Sequence, residues 1–445
     1  MTAQPTPRTP PRRTPRWTRS QATGIERTAE TVLPVVYPPE RRIDEERHLW
    51  DTWLLRNRDG SIADIDGYRV MCSLTAPADL LPGKRHDVAT IRYFYSRDGL
   101  EWTCGGRLFD GDALGSRQWA GSALYDEGQV YGFYTAAGSR GEEELTYTQR
   151  LAVGYGGTIH TDGEGLTIEG PFEHETLLEP DGERYERENQ SRGMLYTFRD
   201  PWFFEDSRTG ETCLLFEANT PLLEPHGDAR DRYEATPEEL AFNGSVGLAV
   251  SPSGDPTDWH LENPILEGVG TNQELERPHI VVMDDRYYLF ISSHEHTFAP
   301  GIEGYDALYG FVADSLRGDY EPLNGSGLVL TNPESAPFQT YSYLAYPHRE
   351  ELLVSSFCNY YDLRGLHLDD VAELPPADQQ ARFGGTLAPT ARLVVDGTNS
   401  RRRDVLAHGH LPLPGEALPR SLHSFVEHGG DDDGRDDHES TYRSR

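Results

Sequence analysis

The chain holds a single lysine. Lys84 is the one ammonium side chain among 41 basic residues, and all the others are arginine. Against them stand 74 Asp and Glu, for a formal net charge of −33. Such a polyanion repels phosphates, so nucleic acid is excluded as a partner. Long apolar runs are missing too. None approaches the roughly 18 residues that cross a bilayer as a helix, so no membrane partner is expected. Polar residues rather than an apolar stretch follow Arg12-Arg13, and no ordinary signal peptide is expected. Cysteine is scarce and scattered. Cys72, Cys104, Cys213 and Cys358 form no CxxC pair, which leaves zinc-ribbon and thioredoxin-type chemistry without support.

Aromatics make up 10% of the chain, with Gly 44 and Pro 31. That mix, over 445 residues, fits a large globular core rich in strands and turns. Residues 1–20, with "TPRTPPRRTPR", predict a disordered arm, and the acidic 427–445 a disordered tail. One domain is expected over 21–426. Within it "TIRYFYSRDGLEW" is an alternating run, an Asp98-Gly99 turn and an aromatic return, a hairpin signal. "GQVYGFYT", "ETCLLFEAN", "DDRYYLFISS" and "ELLVSSF" read as further strands. Helical periodicity is scarce. A loosely recurring unit of strand, short Asp or Gly turn and aromatic predicts an all-β propeller rather than a sandwich. Its irregular spacing gives no blade count.

Three acidic motifs stand apart from the solvated carboxylates. Trp50-Asp51 sits in "WDTW", Arg199-Asp200 in "RDPW", and Glu274-Leu275-Glu276-Arg277 in "ELERPH". Each lies at the start of a strand-like run, beside Arg, Pro or an aromatic. Taken singly, each also reads as a turn cap or a solvated acidic turn. Their joint occurrence on one strand-rich chain favours a shared pocket. Glycoside chemistry needs a carboxylate nucleophile, a protonated carboxylic acid and groups that hold sugar hydroxyls. Arg199 and Arg277 offer rigid donor forks that orient carboxylates.

"WDTW", "QWAGSA", "RDPW", "ELERPH" and "TYSYLAYP" together resemble the levansucrase/inulosucrase family, glycoside hydrolase family 68. The acidic, lysine-poor composition further resembles haloarchaeal proteins, and implies folding and activity that need salt on the order of molar. The resemblance implies a five-bladed β-propeller with sucrose as fructosyl donor and fructan, sucrose or water as acceptor. It implies that Asp51 is the nucleophile, Asp200 the transition-state stabiliser and Glu276 the general acid/base, protonated when the donor binds. Trp50, Trp119, Arg199, Glu274 and Tyr341 resemble sucrose-pocket residues, and His294 stands where the family has Arg or His on the acceptor side. Retaining chemistry would bring Asp51 and Glu276 to about 5–5.5 Å.

Two departures qualify the likeness. Ala120 replaces the usual Ser after the pocket Trp, which removes one hydrogen bond towards the nucleophile. Family members from Gram-positive bacteria bind calcium, yet Met194 and Gln273 stand at positions matching two acidic ligands. No metal and no cofactor is therefore expected. A monomer is expected, and an extracellular location is implied by the family alone. The competing readings are an invertase-like or arabinanase-like hydrolase of a related propeller family and a carbohydrate-binding propeller without catalysis.

Overall fold

The computed structural model describes residues 13–193, 195–222, 232–413 and 415–416. The expected acidic tail, 427–445, and residues 1–12 of the expected arm lie outside the described residues. The fold is all-β, and the helices among the described residues are short, such as Arg19–Ala22 and Pro376–Ala381.

The first antiparallel run is β1 (Arg47–Arg56), β2 (Arg69–Pro77), β3 (Thr90–Ser96) and β4 (Thr103–Arg107). The second is β5 (Arg117–Asp126), β6 (Gln129–Ala137), β7 (Gln149–Thr161) and β8 (Leu166–Glu169), with β9 (Glu173–Leu178) also on β7. A short parallel pairing of β1 with β5, Leu55 with Ala123 and Arg56 with Leu124, fuses these runs into one nine-stranded sheet. Three five-stranded sheets follow. They are β10 (Phe198–Glu205) to β14 (Leu266–Glu267), β15 (Glu276–Met283) to β19 (Leu328–Thr331), and β20 (Thr340–His348) to β24 (Asn399–His408).

The predicted hairpin at Asp98-Gly99 joins β3 to β4. Asp98 Oδ1 accepts from the Leu100 and Glu101 amides at 2.8 and 2.9 Å, and Gly99 adopts φ 68°, which suits a residue without Cβ. The strands β11 (Thr212–Asn219) and β17 (Ala307–Ala313) are buried at every position. They are covered on both faces, which explains why they read as continuous apolar runs rather than clean alternation.

The arm expected to be disordered as far as residue 20 is corrected here. Trp17 is buried, its ring 5.1–5.5 Å from those of Phe298, Tyr309 and Phe311. Its amide donates to Glu267 O at 2.8 Å and its indole N–H to Ser326 O at 3.0 Å. Farther on, Val32 bridges Thr331. Composition hid one aromatic anchor: burying a Trp outweighs ordering a few flanking residues.

At the C-terminal end of β1, Arg56 is buried. Its Nη2 donates to Phe203 O at 2.6 Å, and its guanidinium lies 3.6 Å from the ring centre of Trp202. A cavity of about 310 Å³ opens there, lined by Arg56, Arg58, Trp202 and Tyr346 among others.

Candidate active site

The strands β1, β5, β10, β15 and β20 each slip register near their N-terminal ends. The slips fall between Trp50 and Thr52, Trp119 and Gly121, Arg199 and Trp202, Glu276 and His279, and Tyr341 and Leu344. An extra residue bends the strand and re-aims side chains. Asp51, Asp200, Arg277 and Ser342 occupy these bulges with φ of 46°, 61°, 50° and 60°. Left-handed backbone is strained for residues with a Cβ, and such strain clusters at functional sites. Ala120, in the β5 bulge, has no positive φ. The residues just before the bulges are Trp50, Trp119, Arg199, Glu276 and Tyr341, so five of the nine candidates from the sequence fall on one repeated structural position, and Asp51 and Asp200 on the next.

Arg199 ties the acids together. Its Nε donates to Glu217 at 2.7 Å, and its Nη2 reaches Glu274 at 3.0 Å and Glu276 at 2.9 Å. Glu276 also accepts a short hydrogen bond from the Tyr341 hydroxyl. Asp200 is buried and accepts from the Arg277 amide at 3.1 Å. Arg277 spans two bulges, donating to Ser342 Oγ at 2.7 Å and to Thr52 O at 2.8 Å.

Burial pushes the Asp51 carboxyl up from its ordinary range, and Glu276 adds to the push, while Arg277 and the Ser342 hydroxyl oppose it. Burial likewise pushes Asp200 up to about 7, against Arg199 and Arg277 and reinforced by Glu276 and Asp51. Glu217 is raised well above the carboxylate range by burial, with Arg199 working the other way and Glu276 and Glu274 adding to the rise. Burial and the crowding of acids raise these carboxyls against the pull of the arginines, and environments that shift carboxyls in this way are those used for acid/base work.

His294 joins the site. Its ring stacks on Tyr341 at 3.7 Å, its Nε2 lies 3.9 Å from Glu276, and its Nδ1 is 2.9 Å from Asp306. Burial opposes its charge, but Asp306 and then Glu276 and Glu274 outweigh it and raise the imidazole to about 9. Ser342, on another strand, helps hold the Asp51 carboxyl down and accepts from Arg277 at 2.7 Å. Thr135 Oγ1 donates to Ala120 O at 3.1 Å and accepts from the Asp200 amide at 2.9 Å.

Sequence reasoning missed Glu217, Asp306, Arg85 and His86. Glu217 lies inside the apolar run "CLLFEAN", and only the β10–β11 register places it opposite Arg199. Arg85 and His86 ride on a 3-10 turn, Pro82–Val88. The Arg85 guanidinium lies 5.6 Å from the Trp50 ring, and the His86 ring lies 5.4 Å from Trp50 and 6.3 Å from Trp119. A basic run beside a Pro-Gly turn was the available signal.

For calcium, Met194 lies outside the described residues. Gln273 is buried; its amide nitrogen donates to Leu195 O at 2.7 Å, while its Oε1 has no hydrogen-bond partner. Among the described residues no group of three His, Cys, Asp or Glu stands together as a ligand set. A single amide oxygen is a weak substitute for a carboxylate around calcium.

Comparison with known proteins agrees with this geometry. The family model described as Levansucrase/Invertase matches residues 9–412. A levansucrase of Rahnella aquatilis is 35% identical over 432 residues, covering 89% of this chain and 96% of the relative. An inulosucrase from Halalkalicoccus jeotgali bound to kestose has 65% identity and a TM-score of 0.90, covering 92% of this chain and all of that one. The β-fructofuranosidase catalytic domain of Microbacterium saccharophilum K-1 has 28% identity and a TM-score of 0.78, over 91% and 94% of the two chains. With three acids drawn to the bulged starts of its strands and a family match across nearly its whole length, the chain belongs to the levansucrase/invertase family.

Proposed function

We propose that this protein is a sucrose-dependent fructosyltransferase working by retaining double displacement. The observation that carries the reading is the meeting of Asp51, Asp200 and Glu276 at the bulged ends of three strands, with Arg199 holding Glu276. Asp51 attacks the anomeric carbon of the fructosyl unit, and the bond to the glucosyl oxygen breaks as Glu276 hands that oxygen a proton. Glucose leaves. Glu276, now a base, takes the proton of an acceptor hydroxyl, which attacks the same carbon and releases Asp51. Two inversions give net retention. Asp200 holds fructosyl hydroxyls, contacts that tighten as oxocarbenium character develops. Trp50 and Trp119 wall the donor site, with Glu274 beside them. His294, charged near neutrality, faces the acceptor.

The propeller reading is extended to five blades. It is supported by five strands, β1, β5, β10, β15 and β20, each of which opens an antiparallel run and carries a bulge at its start. The β1–β5 bridge then joins two neighbouring blades. Likeness to an inulosucrase at 65% identity, against 35% to a levansucrase, favours an inulin-type β-2,1 product.

The test is incubation with sucrose in high salt, with sugars quantified and linkages assigned by NMR. A transferase releases more glucose than free fructose and leaves fructan. Equal glucose and fructose would move the reading to a hydrolase, and no glucose at all to a non-catalytic binder.

A further inference from the structure

Exposed apolar side chains are scarce on this acidic molecule; among the few large ones of the described residues are Tyr147, Leu145 two residues before it, and Val88, next to the Asp87 that Tyr147 bonds. Tyr147 is 48% exposed, Leu145 47% and Val88 46%. Tyr147 lies beside the pocket residue Trp119, its ring 6.3 Å from that of Trp119 at an interplanar angle of 40°. It is held from several sides. The Arg117 guanidinium lies 5.0 Å from its ring and 5.4 Å from that of Trp119. Arg117 is itself fixed by Glu142 at 3.1 Å and by Thr146 O at 2.5 Å. The Tyr147 hydroxyl donates to Asp87 at 3.3 Å. Asp87 in turn pairs at 3.6 Å with Lys84, the only lysine of the chain.

We propose that this rim, with Tyr147 at its centre, is a binding platform for the growing oligofructoside, beyond the units held in the pocket. The assignment rests on the fructosyltransferase reading. A furanoside chain offers C–H faces to a rigid aromatic and hydroxyl edges to charged partners, and the rim supplies both kinds of contact side by side. A protein partner fits poorly. Three apolar side chains fall far short of the roughly 1,000 Å² of a specific interface. Continuity with Trp119 favours a ligand already anchored in the pocket. For such a ligand the rim adds affinity without the full entropic cost of a new association.

The experiment compares wild type with Tyr147→Ala, Tyr147→Phe and Leu145→Ser, supplying sucrose with a fructo-oligosaccharide of four or five units as acceptor. Tyr147→Ala should raise the oligosaccharide concentration for half-maximal transfer about five- to tenfold, as loss of an aromatic contact implies. It should also shorten the products while glucose release from sucrose alone stays within about twofold. Tyr147→Phe keeps the ring and should keep the long products, and Leu145→Ser should fall between. An unchanged product length in Tyr147→Ala overturns the platform. So does a parallel loss of glucose release, which would mean only that Trp119 had shifted. Calorimetric titration of the oligosaccharide into Asp51→Asn, with and without Tyr147→Ala, reads binding without turnover. Equal affinities there overturn the platform even if the fructosyltransferase reading stands. A wild type that releases no glucose defeats that reading by itself.

Discussion

Asp51 and Arg56 lie on the same strand, and their surroundings differ in kind. Around Asp51 the ladder is broken, the backbone is left-handed, and carboxylates crowd together. Around Arg56 the parallel contact to β5 joins one run to the next, and the guanidinium lies 3.6 Å from the Trp202 ring centre. One end of the inner strands carries strain and unfavourable charge, and the other holds the sheets together. Variants at the acidic end should therefore remove turnover while leaving stability intact or improved. Variants where sheets and arm are pinned should do the reverse.

The largest expected effect is Asp51→Asn. Losing the nucleophile should cut glucose release by roughly four to six orders of magnitude. The melting temperature should hold or rise, because the carboxylate is costly to bury. Near-native turnover in this variant would end the double-displacement assignment. Next comes Trp17→Ala, far from the site. Emptying that aromatic pocket should lower stability by about 3–5 kcal/mol, read as a drop in the denaturation midpoint. The specific activity of the protein that remains folded should be unchanged.

Asp200→Asn sharpens the contrast on a single residue. Turnover should fall by roughly 10²–10³ with a smaller change in KM, since the lost contacts strengthen in the transition state. Its carboxyl titrates near 7 when folded against an ordinary 3.8, so the unfolded chain gives up this proton first as pH rises. Native stability therefore declines from about pH 4 to 7 on account of this group, and the Asn variant should be the more stable protein at pH 8. Equal or lower stability there would show that Asp200 is not carried at a cost.

The smallest effect concerns His294, whose charge is stabilising. Its pKa is raised from 6.5 to about 9, so its contribution is complete below about pH 6.5 and vanishes as pH climbs through 9. In Asp306→Asn the main support for that charge is gone, and the loss of stability between about pH 7 and 10 should be shallower than in wild type. Parallel slopes would remove His294 from the account.

Much of the site was legible because "WDTW", "RDPW" and "ELERPH" occur together; an acid beside Trp, Arg or Pro is common elsewhere in the chain, as at Glu101-Trp102 and Asp258-Trp259, and only the strand register shows that these three lie at bulges. The predicted hairpin at Asp98-Gly99 and the strands at "ETCLLFEAN" and "DDRYYLFISS" followed from turn chemistry and β-branched or aromatic runs. What stayed hidden depends on register and long-range contact. Glu217 looks like one polar residue in an apolar strand until the ladder sets it against Arg199. Asp306 gains meaning only through His294. Trp17 was buried in the text of a Pro-Thr-Arg segment as it is in the fold. The spacing hid the repeat because what recurs is a strand with a bulge near its start, not a fixed interval.

The Trp17 anchor has a consequence for how the molecule is made. Its indole bonds Ser326, 309 residues away. During synthesis at about 5–20 residues per second, the residues that receive this ring emerge tens of seconds after it does. The segment must wait, exposed, until the strand of Tyr309 and Phe311 and the loop of Phe298 are in place. Docking it is then a late step of assembly, dominated by very long-range closure, and it latches together sheets already formed. A chain cut between the arm and β1 would lose its clasp, and limited proteolysis with time after refolding would show that protection at Trp17 arrives last.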